Sequence, residues 1–292
     1  MYRKFKASVV AALCAGLVGC GSTSMDEWDP FAAPTKKADP KTNGKIEVEG
    51  RSVNVSCSGD AAKGKPVIVL MHGGGDGLDK LAALQKTLSA KNRVCSYDRL
   101  GAGKSDQPDG SQSFTSTGKV LTGVLDQIAA DSPVVLAGHS LGGLIAARYA
   151  PEHPGKVKGL VLMDATSPTM VADISKAIPK SAKGPAADVR AQNLAIFAGQ
   201  NPEKLAIADG KVGSAGNIPV EVIKHGKPYL EAIPTYGKHL EQAWTAGQRK
   251  WLGLSSGSRL STATNSGHYI YVDQPDAAVE AIERVASQAN AG

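Results

Sequence analysis

The rhythm of apolar and polar positions divides this chain into three regions. Ala7 to Gly19 form a short unbroken apolar run behind Arg3, Lys4 and Lys6. Residues 21–44, GSTSMDEWDPFAAPTKKADPKTNG, show neither a period of 2 nor one of 3.6. From residue 45 the pattern becomes regular. Ile46–Glu49 and Ser52–Cys57 alternate around Gly50-Arg51, which predicts a hairpin. Pro66–Met71 is continuously apolar, as a strand buried on both faces must be. Further strands are expected at Arg93–Tyr97, Pro133–Ala137, Val157–Met163, Pro219–Ile223 and Arg259–Ala263. Helices are expected at Leu78–Ala90, about 116–130, 141–150, 238–254 and 276–288, in alternation with those strands. The pattern predicts one α/β domain over 45–292, a mostly parallel eight-stranded sheet with helices on both faces. Residues 167–217 carry no clear strand, only weak helical pieces at 171–178, 186–198 and 202–208, and read as a small cap insertion.

The apolar run at the N-terminus is too short to span a bilayer as a helix and suits the core of a signal peptide. It ends in Leu17-Val18-Gly19-Cys20, which resembles a bacterial lipobox. That resemblance implies a leader over 1–19, cleavage before Cys20, a lipid on its thiol, and a tether over 20–44 that holds the domain outside the cytoplasm. The competing reading is a buried helix with a cysteine at its end. Residue 21 is Gly rather than Asp, which in a host with two membranes implies the outer one; which membrane is left open.

Composition changes this picture in one respect. Of the 292 residues, 42% are hydrophobic and 21% charged, which excludes a disordered chain, a collagen-like repeat and a coiled coil. The charge of +6 suggests an acidic partner until the leader is removed. Without Arg3, Lys4 and Lys6, Lys+Arg falls from 33 to 30 against 27 acids, leaving +3. No basic stripe with interleaved aromatics is left, so no nucleic-acid partner is expected.

The candidate chemistry centres on Gly138-His139-Ser140-Leu141-Gly142, a G-x-S-x-G sequence between the strand 133–137 and the helix beginning at Leu141. A serine on such a tight strand-to-helix turn needs small residues two positions either side. With that context the chain resembles a serine hydrolase of the α/β-hydrolase superfamily. The resemblance covers roughly residues 45–290. It includes His72-Gly73-Gly74-Gly75 after the third strand, Tyr97-Asp98-Arg99-Leu100-Gly101-Ala102-Gly103-Lys104-Ser105 after the fourth, and Gly267-His268-Tyr269 after the last. It implies Ser140 as nucleophile, His268 as its base, and an oxyanion hole from the amides of Leu141 and Gly74. The acid has two placements in such a fold. After the seventh strand the chain reads Lys224-His225-Gly226-Lys227, without an acid; after the sixth it reads Met163-Asp164-Ala165. Asp164 is therefore expected, with Glu231 in reserve. His139 is expected to pack behind the turn and His72 to shape its loop; His153 reads as surface, and His225 and His239 have no matching motif. Asp98 is expected to hold its own turn.

In that fold the strands bearing Cys57 and Cys95 are neighbours, which allows a disulfide in an exported protein; two free buried thiols are the other reading. Neither metal-ligand spacing nor a cofactor motif is present. The expected activity is hydrolysis of an ester, thioester, lactone or small amide through an acyl-serine. A degenerate binding or scaffold module is the alternative. Ile174, Ile178, Ile196, Phe197 and Leu205 in the cap suggest an apolar acyl pocket. Oligomeric state is left open.

Overall fold

The computed structural model describes residues 43–289. The expected leader, the lipidation of Cys20 and all but the end of the tether lie outside the described residues. Strands β1 (Asn43–Val48) and β2 (Arg51–Ser58) form the expected hairpin, which starts two residues inside the expected tether. Six more strands follow: β3 (Val67–Met71), β4 (Val94–Tyr97), β5 (Val134–His139), β6 (Val157–Met163), β7 (Pro219–His225) and β8 (Gly257–Ala263). They form one sheet in the order β1-β2-β4-β3-β5-β6-β7-β8, parallel from β4 onward.

Alternation along the central strands assigns each side chain to one of two cores. Val67, Val69 and Met71 of β3 face the same layer as Leu136 of β5 and Leu160 and Leu162 of β6. Helices α2 (Phe114–Ile128) and α3 (Leu141–Tyr149) cover that layer. Ile68 and Leu70 face the other, with Val135, Val161 and Met163, under α1 (Ala82–Leu88) and the closing helix α8 (Pro275–Ala289). Both faces being buried explains why these strands read as unbroken apolar runs. A capping box, in which Ser113 and Ser116 satisfy each other's backbone amides, starts α2 two residues before its expected position.

The cap differs from expectation in two ways. Helices α4 (Met170–Ala177) and α5 (Pro185–Phe197) form as predicted, but 202–208 does not coil. Leu205 instead makes a bridge to Gln112, and Ala206 one to Ala198. The roof is also larger than 167–217. Met170, Ile174, Ala177 and Ile178 form a third apolar cluster with Leu240 of α6 (Gly237–Lys250), so the segment after β7 completes it. A four-residue helix α7 (Ile270–Asp273), absent from the sequence pattern, precedes α8. Among the described residues no helix is long and apolar enough to cross a membrane.

Cys57 and Cys95 are directly opposed in the β2–β4 register and joined by a disulfide.

Candidate active site

The parallel strands deliver their chemistry at their carboxyl ends, all on one edge of the sheet. Ser140 follows β5 and stands at φ 49°, ψ −117°, outside the regions that a side chain ordinarily accepts. The flanking glycines make that turn feasible. A Cβ on Gly142 would lie 2.4 Å from the Met71 carbonyl oxygen, and one on Gly138 2.5 Å from the Gly142 carbonyl. Strand, turn and helix approach so closely that only hydrogen fits. The turn is tied down by Ser140 N–H donating to the Met163 carbonyl at 3.1 Å and by Thr166 N–H donating to that of Ser140 at 3.0 Å.

Asp164 follows β6, also at positive φ (45°), with its side chain fully buried. Burial of a lone carboxylate is costly, and here it is compensated by donors on every side. His268 Nδ1 donates to Oδ2 at 2.7 Å, and Trp244 Nε1 donates to Oδ1 at 2.9 Å. His225 donates through its backbone N–H at 3.2 Å and through Nδ1 at 2.8 Å to Oδ1 and 2.9 Å to Oδ2. Burial alone would raise the carboxyl; the hydrogen bonds of His225 and His268, with their charges, outweigh it and hold it down at about 2.

With Nδ1–H engaged by Asp164, His268 keeps Nε2 as the acceptor nitrogen. Its ring is sandwiched by neighbours: Trp244 edge-on at 5.4 Å and His139 at 4.5 Å between centroids. His139 is buried behind the turn, as expected, and its Nε2–H donates to the His268 carbonyl at 3.0 Å. Burial pushes its pKa down to about 3, so it serves as a neutral prop.

The loop after β3 is built by Arg99. Its Nη1 donates to the His72 carbonyl at 2.6 Å and its Nη2 to the Gly73 carbonyl at 2.8 Å. A trans peptide points its C=O and N–H in opposite directions. Anchoring Gly73 C=O on Arg99 therefore turns Gly74 N–H away from Arg99, and Gly74 lines the same cavity as Ser140. Leu141 opens α3, where the first-turn amides have no partner within the helix. On the far side Arg99 Nε and Nη2 donate to the two oxygens of Glu203, both at 2.7 Å, so one guanidinium ties the cap to this loop. His72 is buried, donates from Nδ1 to the Gly73 carbonyl, and is held neutral by burial and by Arg99. Asp98 keeps to its turn, accepting from the N–H groups of Leu78 and Lys104 and from Asn54.

Ser140, Gly74, Leu141 and His268 line one cavity of about 270 Å³. Ile174, Ile196 and Phe197 of the cap line it as well, whereas Ile178 and Leu205 are buried elsewhere. Glu231 is exposed on the short helical turn after β7, and it is Asp164 that bonds His268 Nδ1. His153 stacks on Tyr149 and His239 is exposed on α6. Among the described residues no cluster of His, Cys, Asp and Glu could hold a metal ion.

The family described as alpha/beta hydrolase fold matches residues 66–216, just over half of the chain. The chain belongs to the α/β-hydrolase fold family. Among curated relatives, a 1-acylglycerol-3-phosphate O-acyltransferase of Arabidopsis thaliana is 33% identical over 133 residues, 43% of this chain and 31% of that protein. A (lyso)-N-acylphosphatidylethanolamine lipase of Mus musculus is 29% identical over 105 residues, 35% of this chain and 31% of its own. The chain thus spans about a third of the length of these relatives. The enol-lactonase from Burkholderia xenovorans superposes with a TM-score of 0.58 at 20% identity, covering 83% of this chain and 99% of that one. A thermophilic esterase from Thermogutta terrifontis gives 0.57 at 17% identity, covering 85% and 98%. At these identities the two structures establish a shared fold.

Three contributors to this α/β-hydrolase site went unread in the sequence: His225, Glu241 and Trp244. The available signals were weak. His225 closes β7, one of the two strands whose end can carry the acid, and Glu241 and Trp244 stand three apart on α6, hence on one face.

Proposed function

We propose that this chain is a serine hydrolase that cleaves a compact carboxylic ester, thioester or lactone through an acyl-Ser140 intermediate. One observation carries the reading: Ser140, on its strained turn, shares a cavity with His268, whose Nδ1 is bonded to the buried Asp164. In the proposed step the Ser140 oxygen bonds to the substrate carbonyl carbon while its proton passes to His268 Nε2. The negative oxygen that develops is met by the amides of Leu141 and Gly74. Collapse breaks the bond to the leaving group, which takes the proton from His268. Water, deprotonated by the same ring, then releases the acid and restores Ser140.

The cavity's modest volume and its apolar cap side chains support a short acyl group over a long one. A fluorophosphonate probe should label the wild type and leave Ser140→Ala unlabelled; an unlabelled wild type overturns the proposal. A chain-length series of p-nitrophenyl esters should peak at short acyl chains.

The leader pattern and the Cys57–Cys95 bridge support a lipid-anchored location outside the cytoplasm, since such bridges persist in oxidising compartments. Cells fed labelled palmitate should incorporate it into the wild type and not into Cys20→Ala.

A further inference from the structure

His225 stands between two carboxylates. Its Nδ1 faces both oxygens of Asp164 at 2.8 and 2.9 Å, and its Nε2 lies 2.5 Å from Glu241 Oε1. Ionised carboxylates only accept hydrogen bonds, so both ring nitrogens must carry protons for both contacts to form. The ring is buried, with its side chain only 2% exposed. The second oxygen of Glu241 is buried without a hydrogen-bond partner, which leaves His225 as the group that Glu241 addresses. Nothing in the proposed acyl transfer uses either residue directly.

We propose that His225, kept protonated by Glu241, is a positioning residue that fixes the Asp164 carboxylate toward His268 and sets the pH at which His268 becomes a free base. This rests on the reading of Ser140, Asp164 and His268 given above. The charge balance makes the consequence definite. Glu241 and Asp164 are negative and His225 positive, so the buried set carries one net negative charge while His268 is neutral. It becomes neutral overall when His268 takes the serine proton. Removing the His225 charge leaves two negative charges beside His268. Its imidazolium is then over-stabilised, and the base stays blocked by a proton to higher pH. Both carboxylates raise the proton affinity of His225 against the opposing effect of burial.

Other groups around these rings do not reverse that sign. Tyr229 sits edge-on to His225 at 4.8 Å, and its hydroxyl lies 3.3 Å from His268 Nδ1; burial keeps that phenol un-ionised. Lys224 donates to the His225 carbonyl rather than the ring. On the other side of His268 stand the neutral His139, the Tyr269 ring, and Asp76 of the loop after β3, whose charge acts on His268 but which no substitution here alters.

The test uses the full chain and the rate of fluorophosphonate labelling against pH. His225→Asn keeps an amide donor for Asp164 and loses the charge together with the donor to Glu241. Its acidic limb should move up by on the order of one to two units, the size expected for losing a unit charge that bonds the same carboxylate in a semi-polar site. A merely structural role predicts an unmoved limb. Histidine NMR of the wild type should show His225 as an imidazolium at pH 7, and Glu241→Gln should let it lose that proton at lower pH. A labelled His225→Asn with the wild-type limb, or a neutral His225 at pH 7, overturns this proposal alone. A wild type that the probe never labels overturns the serine-hydrolase reading with it.

Discussion

The ion pair between Arg99 and Glu203 offers a test in which stability and turnover should part company. Both side chains are buried, 2% and 4% exposed, and the contact is bidentate. Removing one partner strands the other charge in the interior, at a cost of about 3–5 kcal/mol. Glu203→Ala should therefore lose that much, a fall in Tm of roughly 6–20 °C at about 2–4 °C per kcal/mol. Arg99 would nevertheless still hold the His72 and Gly73 carbonyls, which it reaches at 2.6 and 2.8 Å. Turnover at low temperature should fall only a few-fold.

The double variant Arg99→Met with Glu203→Leu reverses the pattern. Neither charge is buried, so the larger penalty disappears. What is lost is the guanidinium on two carbonyls; that of Gly73 keeps the His72 Nδ1 donor, so one acceptor is stranded, at about 1–3 kcal/mol. The Gly73–Gly74 peptide is then held by His72 Nδ1 alone, and a misaligned oxyanion donor costs on the order of 10²-fold in kcat. The double variant should melt above Glu203→Ala yet turn over a p-nitrophenyl ester far more slowly. Thermal melts and initial rates on the same preparations decide it. A double variant as active as the wild type would refute the idea that Arg99 fixes the oxyanion peptide. A Glu203→Ala that melts with the wild type would refute the burial argument.

Further expectations follow from the same structure. The Cys57–Cys95 bridge closes a separation of 38 residues, so Cys57→Ser with Cys95→Ser should cost about 4 kcal/mol on the loop-entropy account, read as a lower Tm that matches the reduced wild type. Gly142→Ala would press a methyl against the Met71 and His72 carbonyls; loss of probe labelling together with a destabilisation of roughly 1–3 kcal/mol is expected, measured by urea unfolding. Stability should decline on both sides of about pH 6.5. Below it, the unfolded chain takes up protons at His139 and His72 that the folded chain refuses, a slope of about 1.4 kcal/mol per pH unit for each, and His139→Gln should remove one such proton. The contribution of Asp164 is lost last on acidification, from about pH 4 down to about 2. Above pH 6.5, the folded state alone keeps the His225 proton, so that contribution fades as pH rises through its elevated pKa. Urea midpoints across pH test all three signs.

Much of the fold was legible because burial on both faces writes itself into local sequence. β6 occupies the residues its apolar run predicted, and most helix ends fall within a few residues of their expected places. The failure at 202–208 has a tertiary cause. Its residues favour a helix in isolation, but Glu203 is drawn to Arg99 and Leu205 to Gln112, and those contacts bind the backbone in an open course. Each of the two roof segments likewise looked incomplete alone, since their apolar cluster closes only when α6 returns over α4.

The site divides along the same line. Ser140, Asp164 and His268 each follow a strand, so a local motif and a strand end sufficed to nominate them. The company Asp164 keeps is a long-range property: His225 lies 61 residues away along the chain and Trp244 80 residues away. The strand-end logic nonetheless contained the reason for that company. An acid after β6 leaves the adjacent β7 end to be filled, because β6 and β7 pair in parallel up to Met163 and Ile223. A second acid there would have placed two negative charges side by side in the interior. A small apolar residue would have left Asp164 short of a donor. Histidine supplies the donor and, with Glu241 behind it, a compensating charge. The acid expected after β6 and the histidine without a motif at the end of β7 thus answer one electrostatic constraint.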